Sequence, residues 1–198
     1  MQGKPLALIV GLGNPGPRYR ANRHNAGAIF LTELCKRHHG QLRPESKFHG
    51  DFGSVTIDGH EVKLLIPTTF MNRSGRSVAA VCNFFKLDPA TLLVAYDEID
   101  FEVGITRFKL GGGHGGHNGM RDILQALGGN GDFYRLRIGV GHPGHKSMVA
   151  DYVLSDPSAA ESAIIMGDIH RAVDLMPRAV AGNWEAAMRL LHTEPKTE

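Results

Sequence analysis

Short apolar runs rich in β-branched residues, each bounded by Gly, Pro or Asp, alternate along this chain with segments whose apolar residues recur at helical spacing. That alternation admits few folds. The candidate strands are residues 6–12, 54–57, 62–66, 92–96, 105–110 and 136–140, and Asp58-Gly59 marks a hairpin between the second and third. Helical spacing appears at Ala26, Ile29, Phe30 and Leu34, at Val78, Val81, Cys82 and Phe85, and at Met120, Ile123, Leu124 and Leu127. In the last quarter, Ser158 and Glu161 form a capping-box pair ahead of Ile164, Ile165, Ile169, Val173 and Met176, and Asn183 caps a second helix. A hairpin needs antiparallel strands, whereas helical crossovers need parallel ones. The expectation is one α/β domain over residues 1–198, a mixed twisted β-sheet flanked by helices, with the C-terminal helices packed on it. A chain of 198 residues suits a single domain.

Composition removes several classes of function. No apolar stretch approaches the ~20 residues of a spanning helix, so an integral membrane protein is excluded. Glycine supplies 25 of 198 residues, but without a triplet period, and the glycine clusters alternate with apolar segments, which excludes collagen and disorder. Cys35 and Cys82 are the two cysteines, each inside an apolar periodic segment, so neither a disulfide framework nor a cysteine-rich zinc site is indicated. The apolar run 6–12 is followed by Asn-Pro-Gly-Pro and three arginines and reads as a strand rather than a signal peptide. A cytoplasmic protein is expected. The net charge of +2 hides asymmetry: residues 1–32 and 104–150 each carry +4, and residues 151–198 carry −4.

The chemistry-bearing residues lie where strands end, the edge at which α/β sheets gather their sites. Gly11 to Gly16 fits G-x-G-x-x-G, but residues 18–25 lack the apolar stripe of a dinucleotide-binding helix and no acid ends a second strand, so that reading is rejected. Asn14, Arg23, His24 and Asn25 crowd the exit of the first strand, and a base at His24 can reach substrate there. The fourth run ends in Asp97-Glu98-Ile99-Asp100. Asp97, as the first residue past the strand, is expected to hold a histidine in its active tautomer, with Mg²⁺ binding by these acids second and Asp100 starting a turn. After the third run, Ser74 is the expected helix cap and Asn72 is left free beside the strand exit. Residues 109–119, Lys-Leu-Gly-Gly-Gly-His-Gly-Gly-His-Asn-Gly, are neither a P-loop nor a zinc site, and Asn118 is the expected cap of the helix that follows. Arg107 and Lys109, and Arg135 and Arg137, alternate with apolar residues, so each pair shares a face that can bind phosphates, with Lys146 on the same basic segment.

GLGNPG, RHNAG, TTFMN, YDEID, KLGGGHGGHNG and RLRIGVGHPG, in this order across most of the first 145 residues, closely resemble the bacterial peptidyl-tRNA hydrolases. Local departures are Asn22, where the family often has Thr, and Phe101-Glu102-Val103 in place of a proline-rich turn. The resemblance implies hydrolysis of the ester between a peptide and the 3′ ribose of tRNA, by a monomer without cofactor or metal, acting on the acceptor stem and 3′ end. It implies His24 as general base and Asp97 as its partner. Asn14 would help to distinguish peptidyl-tRNA from free aminoacyl-tRNA. Tyr19, Phe70, Asn72 and Asn118 match tRNA-contacting positions, and Lys109 and Arg137 match a clamp near the 5′ phosphate. Two rivals remain from the residues alone: a metal-dependent phosphoesterase built on Asp97, Glu98 and Asp100, and a noncatalytic RNA-binding module.

Overall fold

Alternation along β1 (Leu8–Gly11) sends Leu8 and Val10 to one face of a sheet and Ile9 to the other, and all three are fully buried. A strand buried on both faces needs cover above and below. The computed structural model, which describes residues 3–193, supplies it with helices on both sides of a seven-stranded sheet. The strands are β1, β2 (Arg43–Glu45), β3 (Gly50–Ile57), β4 (His60–Pro67), β5 (Leu92–Glu98), β6 (Thr106–Leu110) and β7 (Tyr134–Gly139), in the order β2-β3-β4-β1-β5-β7-β6. The four central strands β4, β1, β5 and β7 are parallel, and β2, β3 and β6 join antiparallel at the flanks. The expected single α/β domain with a mixed sheet is the observed one. The Asp58-Gly59 hairpin joins β3 to β4 with Ile57 opposite His60.

Two cores follow from the alternation. On one face, Ile9, Leu64, Leu93, Ala95, Leu136 and Ile138 meet α1 (Ala26–Arg37), α5 (Ala159–Val180) and α6 (Trp184–His192). On the other, Leu8, Val10, Leu65, Leu92, Val94 and Tyr96 meet α2 (Ser74–Phe85) and α3 (Asn118–Ala126). The C-terminal helices therefore pack on the sheet as expected, and the Ser158–Glu161 capping box opens α5. Five local expectations change. β2 was not foreseen, and neither was the short α4 (Val149–Val153). His117, not Asn118, caps α3, by accepting the Met120 N–H. Ser74 starts α2 without capping it, because its hydroxyl donates to the Met71 carbonyl instead, and Asn183 precedes α6 with no side-chain cap bond.

The parallel strands end at one edge. β1 and β5 are neighbours there, yet the chain leaves β1 toward β4 and leaves β5 toward β7, which makes the gap between their exits the switch point of the sheet. Gly27, at the start of α1, lets that helix touch β5: a Cβ there would fall on the Ala95 carbonyl oxygen. Gly167 in α5 is exposed and a Cβ would meet nothing within 4 Å. The two glycines should respond oppositely to alanine. Gly27→Ala is expected to destabilise by about 1–3 kcal/mol through overpacking, and Gly167→Ala to stabilise by about 0.5–1 kcal/mol by restricting the unfolded chain. Urea unfolding of both variants measures the contrast, and equal shifts would refute it.

Candidate active site

Asp97 lies inside β5 rather than beyond it, on the face shared by Leu93 and Ala95, and is 2% exposed. A carboxylate so placed needs donors. It has two imidazoles, one from each helical layer. His24, in the 3-10 turn Arg23–Asn25 that leads into α1, approaches with Nδ1 at 2.8 and 2.9 Å from the two carboxylate oxygens. His117, at the head of α3, places Nε2 2.9 Å from Oδ1. The ring centroids of the two histidines are 4.9 Å apart, and Tyr96 packs edge-on against His117 at 5.0 Å.

The hydrogen bonds fix the protons. Because His117 Nδ1 accepts the Met120 N–H at 3.2 Å, its proton sits on Nε2 and points at Asp97. His24 donates through Nδ1, so its Nε2 carries a lone pair and has no hydrogen-bond partner among the described residues. Burial of His24 opposes its charged form, but the Asp97 charge and the hydrogen bond to it prevail and hold the imidazole above its ordinary value of 6.5. For Asp97, burial pushes the carboxyl up, but the two histidines prevail and hold it well below the usual carboxylate range.

Both histidines, Asp97 and Asn118 line a cleft of about 410 Å³, whose far wall is Val149, Ala150 and Val153 of α4. Glu98, Ile99, Gly115, Gly116, His142 and Lys146 complete it. The Asn118 amide is oriented by Arg121, which donates to its Oδ1 at 2.9 Å and leaves Nδ2 as a donor. Asn14 stands beside the cleft, on a neighbouring hollow of about 260 Å³. Asn25 grips its backbone on both sides, accepting its N–H at 2.9 Å and donating to its carbonyl at 3.0 Å. The Asn14 Oδ1 in turn accepts the Met71 N–H at 2.8 Å, which joins the β1 exit to the turn carrying exposed Asn72. Tyr19 lies half-buried under the Arg18 guanidinium, and Phe70 is 58% exposed. Neither enters the cleft.

The basic pairs divide. Arg107 faces Arg137 and Lys109 faces Arg135 across β6 and β7, so all four share a face. Arg135 is nevertheless buried and donates to the Gly112 and Gly113 carbonyls, bracing the glycine loop. Arg137 is ion-paired with Glu98 at 2.9 Å and stacks on Phe101, whereas Lys109 is exposed. The three acids of the metal reading do not converge either, since Asp97 faces the imidazoles and Glu98 holds Arg137 and the Asp100 N–H. Among the described residues one cluster, His24, Asp97 and His117, brings three potential metal ligands within 4.8 Å of one another. Its inward atoms carry protons aimed at the carboxylate, and a cation there would have to displace them and turn His117 donor-to-donor against Met120.

His117 is the participant that sequence reasoning missed. Its only signal was position, one residue before Asn118 in a glycine-rich loop. The geometry predicts that NMR titration of His24 gives a midpoint above 6.5, and that Asp97→Asn, which removes the attraction and leaves the burial, moves it below 6.5. A midpoint unmoved by that change would separate the two groups.

Comparison with known proteins agrees with this edge-of-sheet arrangement. The profile of the peptidyl-tRNA hydrolase family matches residues 8–198. A peptidyl-tRNA hydrolase from Pseudomonas paraeruginosa is 49% identical over 189 residues, covering 96% of this chain and 97% of its own. One from Chromohalobacter salexigens is 51% identical over 188 residues, covering 95% and 97%. The crystal structure of peptidyl-tRNA hydrolase from Acinetobacter baumannii superposes with a TM-score of 0.94 at 43% identity, covering 97% of each chain. With that likeness spanning the whole of the sheet, both helical layers and the cleft between them, the chain belongs to the peptidyl-tRNA hydrolase family.

Proposed function

We infer that this chain hydrolyses the ester joining a peptide to the 3′ ribose of tRNA, by general-base activation of water at His24. The observation that carries the reading is the division of labour on the His24 ring: Nδ1–H is bound to Asp97, and Nε2 is left as an acceptor on a residue that lines the cleft. A water at Nε2 loses its proton as its oxygen attacks the ester carbonyl, and the imidazolium is stabilised by the Asp97 carboxylate. The same proton then passes to the departing ribose oxygen. His117 donates to the same carboxylate and holds it in place, so Asp97 need not rotate to serve His24. The Asn118 amide and exposed Asn72 supply donors for the developing oxyanion or for the substrate carbonyls. An ester has a good leaving group, so these parts suffice without a covalent intermediate.

Asn14, its carbonyl and N–H both gripped by Asn25 and its Oδ1 held by Met71, presents Nδ2 as a fixed donor for a peptide carbonyl that free aminoacyl-tRNA lacks. The acceptor stem and 3′ end are the bound portion of the tRNA. Half-buried Tyr19 and exposed Phe70 serve as rim surfaces for it, and Lys109 with Arg137 meets the phosphate at the 5′ end. The chain works as a monomer in the cytoplasm, since both faces of its sheet are covered by its own helices and translation supplies the substrate there. No described helix is long and apolar enough to cross a membrane.

His24→Ala should lower peptide release from N-acetyl-aminoacyl-tRNA by about 10²–10⁴, with wild-type activity unaffected by chelator. A folded variant at wild-type rate would leave an RNA-binding module, and chelator-sensitive wild-type activity would favour the metal reading. Lys109→Ala should weaken tRNA binding and reduce the slope of log K against log salt by roughly 0.7–0.9. Arg137→Ala should reduce it by less, because Glu98 already shares its charge. An unchanged slope in Lys109→Ala would remove that lysine from the phosphate site.

A further inference from the structure

The apolar wall of the cleft has an unusual attachment. α4 spans only five residues, and Val153, its one buried side chain, belongs to neither hydrophobic core among the described residues. What holds its C-terminal end is Arg23, the residue next to His24. The Arg23 guanidinium donates to the Ser155 hydroxyl at 2.7 Å, to the Asp156 carbonyl at 3.0 Å and to the Ser155 carbonyl at 3.3 Å. It also meets the Glu161 carboxylate at 3.1 Å and lies 4.1 Å from the centre of the Tyr152 ring, whose hydroxyl donates to the Val140 carbonyl at the end of β7. The Arg23 backbone N–H adds a bond to the Ser155 carbonyl at 3.2 Å, and Asn22 donates to the Asp156 carboxylate at 2.6 Å.

A guanidinium only 7% exposed is a poor source of stability, because the cost of desolvating it offsets much of the gain. A buried fork of donors does, however, define one arrangement, and here it defines the distance between the base and the opposite wall. Cations also suit the C-terminal end of a helix, where carbonyls are unpaired.

We propose that Arg23 is a positioning residue for substrate binding: it fixes α4 against the His24 turn so that Val149, Ala150 and Val153 form a fitted wall for the acyl portion of the substrate. This rests on the reading of the cleft as the peptidyl-ester site. The wall is apolar, so it suits peptide side chains rather than phosphate. Loss of the fork leaves the His24–Asp97 pair in place but lets the wall move.

Arg23→Met keeps the stem and removes the donors. With N-acetyl-aminoacyl-tRNA it should raise KM by about tenfold and change kcat by less than about threefold, the split expected when binding common to ground and transition states is lost. The pH midpoint of kcat should stay at the wild-type value. Hydrogen exchange over residues 149–155 should accelerate by about tenfold or more, and Arg23→Lys, which restores a donor without the fork, should fall between. Wild-type KM in folded Arg23→Met overturns the proposal, whether or not exchange accelerates. So does a loss confined to kcat with a displaced pH midpoint, which would mean that Arg23 acts on the base. If Arg23→Met does not fold, Ser155→Ala cuts the 2.7 Å bond from the other side: a raised KM with faster exchange supports the strap, and wild-type values overturn it. If the wild-type protein releases no peptide at all, the functional reading falls, and unchanged exchange in the variants would then remove the strap as well.

Discussion

The carboxylate of Asp97 receives two imidazole N–H groups at the end of a fully buried strand, and the rest of the site is arranged around that meeting. One imidazole comes from the layer of α1 and the other from the layer of α3, so the contact ties the two faces of the sheet together exactly where the parallel strands end. A lone buried carboxylate would be neutralised by its surroundings. With two donors, it remains charged and, on the proposed mechanism, stabilises the proton that His24 would accept. The His117 tautomer is set in turn by a helix N-terminus, through the Met120 N–H. A backbone amide thus commits both nitrogens of His117, while His24 keeps Nε2 without a hydrogen-bond partner among the described residues.

Such a meeting needs backbones that come unusually close. Gly27 brings the start of α1 onto β5 beneath Ala95, two residues before Asp97, and Gly119 brings α3 against Met71. Met71 is itself held by Asn14, whose backbone is gripped by Asn25, the residue after His24. The His24 turn, the Asn14 amide beside it and the turn bearing Asn72 are therefore one connected assembly. The glycine loop that leads to His117 is braced by buried Arg135, which turns a flexible composition into a defined path.

Much of the fold was legible because it is written in periodicity: every strand with alternating apolar residues was found, and so were α1, α2, α3 and the capping box of α5. β2 escaped because Arg43-Pro44-Glu45 carries no apolar alternation and pairs only at the sheet's edge. α4 escaped because five residues hold too little of a stripe to register. His24 and Asp97 were legible through their places at strand exits, and the structure sets them in contact. His117 was not, since a histidine among glycines has no period, and its role arises from α3 folding back over β5. The caps failed for a related reason: Asn118 and Ser74 are good capping residues, but His117 reached the Met120 N–H first and the Ser74 hydroxyl found a nearer carbonyl.

Charge counted along a chain is also not charge offered to a ligand. Residues 104–150 carry a net +4, but Arg135 spends its guanidinium on the carbonyls of the glycine loop and Arg137 shares its charge with Glu98. Arg107, Lys109 and Lys146 remain exposed. An RNA face built from a few separated cations has weak, salt-sensitive attraction for phosphate in general. On the proposed function, selectivity must then come from what lies between those cations: a fixed cleft, positioned amides and a histidine whose proton is already assigned. Under that reading, weak general attraction also favours release of the deacylated tRNA, which keeps its phosphates but has lost its acyl group.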